Sequence, residues 1–195
     1  MDQKSSFRNT SPEDLPLYAR SFHAAAKKLA DAYESDPGPF TDLAACPVVF
    51  MYRHALELYL KAIVLGEGRN FLATKPDRIS ISKTHSVSWL ARFVGQIVTA
   101  LKWEPEFKCE GVENLDDFKA VVEEVNSVDP GSSAFRLPGK IEAKVFFNVG
   151  EFAARMDALL ELLNSTAAAL AAEWDLRAAA NEEEWRGGGF EPTIQ

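Results

Sequence analysis

The chain has few cysteines and few histidines for its length. Its 195 residues include two cysteines, Cys46 and Cys109, and three histidines, with no Cys-x-x-Cys pair and no closely spaced histidine pair. Two isolated thiols make neither a metal cluster nor a disulfide framework. We therefore expect no metal and no cofactor, and two reduced cysteines in a cytoplasmic protein.

A signal sequence, an uninterrupted apolar run and a surplus of positive charge are also missing. The N-terminus lacks the basic-then-apolar layout of a signal peptide, and the long apolar segment at 47–65 contains four polar residues. These features argue against secretion and against membrane insertion. The formal net charge of −8 predicts a surface that repels nucleic acid as a whole. Any contact with RNA or a nucleotide must therefore be local.

No internal linker rich in proline, glycine or serine divides the chain, so we expect one domain. Helical spacing of apolar residues begins after the capping sequence Ser11-Pro12-Glu13-Asp14 and weakens beyond Asp175. We predict a flexible N-terminus at 1–10, a helical domain at 11–176, and a frayed or disordered tail at 177–195, where an acidic run precedes three glycines.

The spacing predicts an all-α chain. Helices are expected from the capping sequence Ser11-Pro12-Glu13-Asp14 to the Ser35–Pro39 breaker, from Thr41 through Pro47 to Leu65 with a bend or restart at Pro47, after Ser86, after Asn114, and at Asn148–Trp174. The region between Leu65 and Ser86 predicts a surface connection with a short extended piece at Arg78–Ser82. Alternation at Lys140–Phe147 is compatible with a short extended arm.

The segment 47–65, PVVFMYRHALELYLKAIVL, is apolar around most of its circumference. At 100° per residue, Arg53, His54, Glu57 and Lys61 fall within an arc of about 100°, which we call the polar strip. This pattern predicts a buried central helix with one narrow polar face. Because buried charge is costly unless it is paired, the strip must pair internally or meet a polar partner.

The spacing of Arg53, Glu57 and Lys61, four residues apart each, allows two interpretations. In the first, Glu57 pairs with both cations in an internal ion network that orients the helices. In the second, the excess positive charge, with His54 beside it, lies in a cleft and binds an anion such as a phosphate. The two interpretations differ in how exposed the side chains are.

Three further residues are candidate anion contacts. His85 adjoins a predicted helix start, where an imidazole and free backbone amides together suit a phosphate, and an antiparallel return of that helix would bring it near Lys61. Arg78 and His85 also match an Arg-x6-His spacing that is catalytic in some RNA-cleaving helical domains, a match that chance often supplies. Arg136 lies between two turns, with a solvent-exposed loop arginine as the alternative.

Three short motifs resemble the HEPN family of helical nucleotide-binding and RNA-cleaving domains: RHALELYLKA at 53–62, THSVSWL at 84–90 and SSAFRLP at 132–138, about a fifth of the chain with their flanks. The resemblance implies an antiparallel four- to five-helix bundle, often a homodimer with its site between subunits. In the nuclease branch, an arginine and a histidine near the start of the last long helix act without metal. Here that helix has Arg155 and no histidine, which is a departure from the pattern.

We therefore predict a HEPN-like protein that binds a nucleotide or RNA in a cleft lined by the central helix, with metal-independent RNA cleavage in a defence or toxin-antitoxin system as its catalytic form. His85 would then be the general acid or base, and Arg53 or Arg136 would stabilise the phosphorane charge. The alternative is a non-catalytic interaction module, an adaptor or an antitoxin-like partner of another protein. A third interpretation is a purely structural homodimer. Whatever the function, we predict a homodimer, because two long apolar-faced helices and a tail with Trp185 and Phe190 offer more apolar surface than a small bundle needs.

Overall fold

The structure is a computed structural model that describes residues 14–36, 41–129 and 148–187. Six α-helices make up most of this part of the chain, which contains no β-strand. They are α1 (Leu15–Ser35), α2 (Thr41–Leu65), α3 (Arg78–Lys83), α4 (Val87–Leu101), α5 (Leu115–Val128) and α6 (Val149–Gly187), with a 3₁₀ helix at Glu67–Phe71. The prediction of an all-α chain is confirmed for the described ranges.

Helix α2 is the central element of the fold. It packs against α1, α3, α4, α6 and the 3₁₀ helix. Between residues 48 and 65 only four positions are not buried, because apolar side chains surround the helix axis. The prediction of a buried central helix is confirmed. Pro47 does not restart the helix: α2 continues through it, with the proline at an exposed position.

Two predicted helix starts are confirmed with their caps. The Ser86 hydroxyl accepts a hydrogen bond from the Trp89 amide at 3.2 Å and begins α4. The Asn114 side chain accepts bonds from the Asp116 and Asp117 amides at 2.8 and 3.0 Å and begins α5. Two aspartates in the first turn of α5 also lie at the positive end of the helix dipole.

The predicted extended piece at Arg78–Ser82 is wrong, because these residues form α3. The Asp77 carboxylate accepts hydrogen bonds from the amide and the hydroxyl of Ser80, at 2.8 and 3.0 Å, and so caps the helix. Ile81 is fully buried. A capping aspartate and one buried anchor therefore outweigh the strand preference of the two isoleucines in this segment.

Helix α6 extends further than the apolar spacing indicated. The spacing ended the helix at Trp174 and placed a frayed tail from residue 177, whereas the backbone is helical to Gly187. All residues from 175 to 182 are exposed, so burial contributes little to this part of the helix. It is supported by helix-favouring alanines, by the Arg177–Glu173 ion pair at 2.7 Å, and by the Arg177 guanidinium, which lies 4.9 Å from the ring centroid of Phe71 in the 3₁₀ helix.

Some expectations fall outside the described residues: Ser11 and the N-terminus, the arm at 140–147, Arg136, and the end of the tail with Phe190. None of the helices in the described ranges is long and apolar enough to cross a membrane.

Candidate functional site

Glu57 is the centre of a buried ion network on α2. It is 2% exposed, and Arg53 and Lys61, one turn to either side, are 0% and 6% exposed. The Arg53 guanidinium donates to Oε2 of Glu57 at 3.0 Å, and Lys61 Nζ donates to Oε1 at 2.8 Å. The spacing of four residues thus places one carboxylate between two cations.

The pKa of Glu57 lies below its ordinary value. Burial by itself raises this pKa, because loss of water disfavours the charged form. Hydrogen bonds and positive charge from Lys61, and then from Arg53 and His85, outweigh the effect of burial. Glu57 is therefore an ionised carboxylate, which can only accept hydrogen bonds.

The two cations also bind the backbone that leads into α4. Lys61 Nζ donates to the carbonyl of Ser82, in α3, at 3.0 Å. Arg53 donates through a terminal guanidinium nitrogen to the carbonyl of His85, directly before the N-cap of α4, at 2.5 Å. One face of α2 therefore holds both ends of the short connection between α3 and α4.

Asp129, which follows α5, completes what we call the Glu57 network: Arg53, Glu57, Lys61, His85 and Asp129. Arg53 Nε donates to the Asp129 carbonyl at 2.9 Å and lies 3.6 Å from its carboxylate Oδ2. Asp129 is buried. Two cations therefore face two carboxylates, and their formal charges cancel. The excess positive charge predicted for the polar strip is offset by Asp129, which lies 76 residues further along the chain than Arg53.

His85 is the part of this network that reaches solvent. Its side chain is 55% exposed, while the Glu57 side chain beside it is buried. Imidazole Nδ1 lies 3.1 Å from Oε1 and 3.3 Å from Oε2 of Glu57. The prediction that His85 adjoins a helix start is confirmed, since Ser86 caps α4.

The structure brings Arg53, Glu57, Lys61 and His85 together. His54, the remaining member of the polar strip, lies against aromatic rings, with centroid distances of 4.4 Å to Phe22 and 5.8 Å to Phe50. Arg78 is exposed on α3 and makes no hydrogen bond to His85 within the described residues.

A second polar cluster, which sequence reasoning missed, joins α1, α2 and α6. His23 Nε2 lies 2.7 Å from Oδ1 of Asp157, and the Tyr52 hydroxyl donates to the same oxygen at 2.9 Å. Burial, followed by the contact with Asp157, raises the pKa of Tyr52. Lys27 lies 3.4 Å from the other carboxylate oxygen. His23 and Tyr52 are buried, so this cluster fastens α1 to α6 and offers little surface to a ligand.

Two open grooves lie away from the Glu57 network. One, of about 480 Å³, lies between α4 and α5 and includes Arg92 and Lys119. The other, of about 500 Å³, lies between α6 and the loop that follows α4. In the described ranges no group of three or more His, Cys, Asp or Glu side chains could hold a metal ion.

Comparisons with protein-family models, with curated proteins and with solved structures find no significant match for this chain. The resemblance of RHALELYLKA and THSVSWL to the HEPN family remains a hypothesis. The site is therefore interpreted from its own geometry and charge.

Proposed function

We propose that this chain is a HEPN-like helical protein that binds the phosphate of a nucleotide or RNA at His85. The observation that supports it is an exposed imidazole whose Nδ1 is held by a buried, ionised carboxylate. A side chain that is fixed from the interior and open to solvent loses little further conformational entropy when a ligand arrives.

The start of α4 supports the same ligand. The first amides of a helix have no partners inside the helix and lie at the positive end of its dipole. His85 comes immediately before the Ser86 cap of this helix. A phosphate group can therefore accept hydrogen bonds from amides at the helix start and, while the imidazole is protonated on both nitrogens, from Nε2 of His85, which makes a local anion site on an acidic protein.

Arg53 and Lys61 serve this site indirectly. Both are buried, and both donate to Glu57 and to backbone carbonyls. A ligand reaches them only if the network opens. Their burial favours the internal ion network of the two sequence interpretations, and the proposed phosphate contact is therefore His85 with the α4 start.

Metal-independent RNA cleavage is the reaction that suits this arrangement. His85 takes the proton of a ribose 2′-hydroxyl, the 2′ oxygen bonds to the neighbouring phosphorus, and the 5′ oxygen leaves with a proton from water. The products are a 2′,3′-cyclic phosphate and a 5′-hydroxyl. Helix-start amides are suited to the negative charge that develops on the phosphorus oxygens.

Isothermal titration with a nucleotide and with a short single-stranded RNA, at several salt concentrations, tests the binding. We expect His85→Ala to weaken binding by about 10-fold or more, the value of a hydrogen bond to a charged group. Arg92→Ala, which removes an exposed cation further along α4, is the matched control and should change affinity little. Absence of binding at low salt, or equal affinity in His85→Ala, would refute the proposal.

The second candidate is the non-catalytic interaction module, and an exposed apolar stretch of α6 favours it. Leu176 is 68% exposed there, and Trp174 is exposed beside it. A second copy of the chain, as predicted for a homodimer, is the simplest partner. Sedimentation equilibrium should show self-association at micromolar concentration that Leu176→Ser weakens. If the parent chain sediments only at its monomer mass, the prediction of a homodimer is wrong.

A further inference from the structure

We infer that Glu57, Arg53 and Lys61 are positioning residues that present His85 to RNA as a proton acceptor. The catalytic use of this arrangement depends on the proposed function, whereas the orientation of the imidazole does not.

The hydrogen position follows from the contact between the ring and the carboxylate. Both Glu57 oxygens lie within 3.3 Å of Nδ1 of His85. An ionised carboxylate only accepts hydrogen bonds, so Nδ1 must carry the hydrogen. A neutral imidazole has one N–H, and Nε2 is then left with a lone pair. Glu57 thus selects the tautomer of His85 that carries its hydrogen on Nδ1, in which Nε2 can accept a proton.

The backbone around the ring is held by the same helix. Lys61 binds the Ser82 carbonyl and Arg53 binds the His85 carbonyl, while each also binds one Glu57 oxygen. Three side chains at successive turns of α2 therefore fix the ring and the main chain on which it stands. This explains why two cations are buried close to a candidate anion site without facing solvent.

A base next to a phosphate site acts on a ligand that carries a hydroxyl beside its phosphate. The ribose 2′-hydroxyl meets this requirement, and deoxyribose does not. Nε2 takes the 2′ proton, the bond from the 2′ oxygen to phosphorus forms, and the bond to the 5′ oxygen breaks as that oxygen takes a proton from water. The predicted substrate is therefore RNA, and DNA of the same sequence is bound but left intact.

The hydrogen position can be measured in the full chain by long-range ¹H–¹⁵N correlation NMR on ¹⁵N-histidine at mildly alkaline pH. The chain has three histidines, and His85→Asn identifies the signal of His85. We expect a protonated Nδ1 and an unprotonated Nε2 in the parent. Glu57→Gln should lose this preference, because an amide can donate as well as accept.

The same variants are compared in RNA cleavage with a chelator present. Glu57→Gln should lower kcat by about 10²- to 10⁴-fold, the usual contribution of a general base, and leave KM nearly unchanged. Glu161→Gln, an exposed glutamate on α6, should change neither constant. A 2′-deoxy oligonucleotide should remain uncut by the parent.

The outcomes separate this inference from the proposed function. A hydrogen on Nε2 in the parent overturns the inference whether or not RNA is cleaved, as does an unchanged ring in folded Glu57→Gln. The parental signal decides the orientation even if Glu57→Gln does not fold by circular dichroism. A protonated Nδ1 without any RNA binding or cleavage overturns the proposed function and the catalytic use of His85, while the orienting role of Glu57 stands.

Discussion

Replacement of Arg53 by alanine should lower the free energy of unfolding by about 3–5 kcal/mol. Arg53 has no exposed surface and donates three hydrogen bonds, to the Glu57 carboxylate and to the carbonyls of Asp129 and His85. The variant leaves these three acceptors without this donor, and it leaves the buried Asp129 carboxylate without the cation at 3.6 Å.

The magnitude follows from treating the three bonds as one group. A hydrogen bond from a charged donor contributes about 1.5–3 kcal/mol, so three independent bonds would give about 5–9 kcal/mol. They share one guanidinium and are not additive, and its burial costs desolvation energy that the variant recovers. The expected loss is therefore that of one broken buried ion pair. From a typical parent stability of about 5–15 kcal/mol, the variant keeps between almost none and about 12 kcal/mol.

Urea denaturation followed by circular dichroism measures this loss, provided that the slope with denaturant is the same in both proteins. Arg78→Ala is the control, since it makes the same substitution at an exposed position on α3 and should cost about 0.5 kcal/mol or less. A loss below about 1 kcal/mol in Arg53→Ala would refute the reasoning, because such a value is typical of an exposed ion pair. The proposed role of Arg53 in holding the backbone at His85 would then also be wrong.

Three further predictions concern the core and the dependence on pH. In urea denaturation, Leu56→Ala in α2 should lower the free energy of unfolding by about 2–5 kcal/mol, because Leu56 is fully buried. Leu43→Ala, at an exposed position of the same helix, should lower it very little. Equal losses would contradict the central position of α2. The lowered pKa of Glu57 gives stability that is present at neutral pH and is lost as pH falls below about 4.5. The free energy of unfolding of Glu57→Gln should therefore decline less steeply over this acidic range. An equally steep decline in the variant would show that Glu57 does not cause the loss. Burial raises the pKa of Tyr59 to about 12, so its contribution to stability is present below about pH 10 and is lost as pH rises through 12. A pH titration of tyrosinate absorbance should show a step near pH 12 in the parent that Tyr59→Phe lacks. Persistence of that step in the variant would contradict the assignment to Tyr59.

The sequence by itself determined the features that depend on local spacing. The apolar circumference of 47–65 was enough to predict a buried helix, because burial of a helix face follows from its periodicity. The distance of four residues from Arg53 to Glu57 and from Glu57 to Lys61 was enough to place the three on one face. The caps of α4 and α5 were also predictable, since a cap bonds within three residues of itself.

Only the tertiary structure decided which partners complete the polar groups. Glu57 and His85 are 28 residues apart, Arg53 and Asp129 are 76 apart, and His23 and Asp157 are 134 apart. No local pattern records such pairs, because they depend on how the helices cross. The same packing decided that Arg53 and Lys61 are buried while His85 is exposed. The exposure of a charged side chain is a property of the assembled core, and in this protein it separates the two buried cations from the imidazole that reaches solvent.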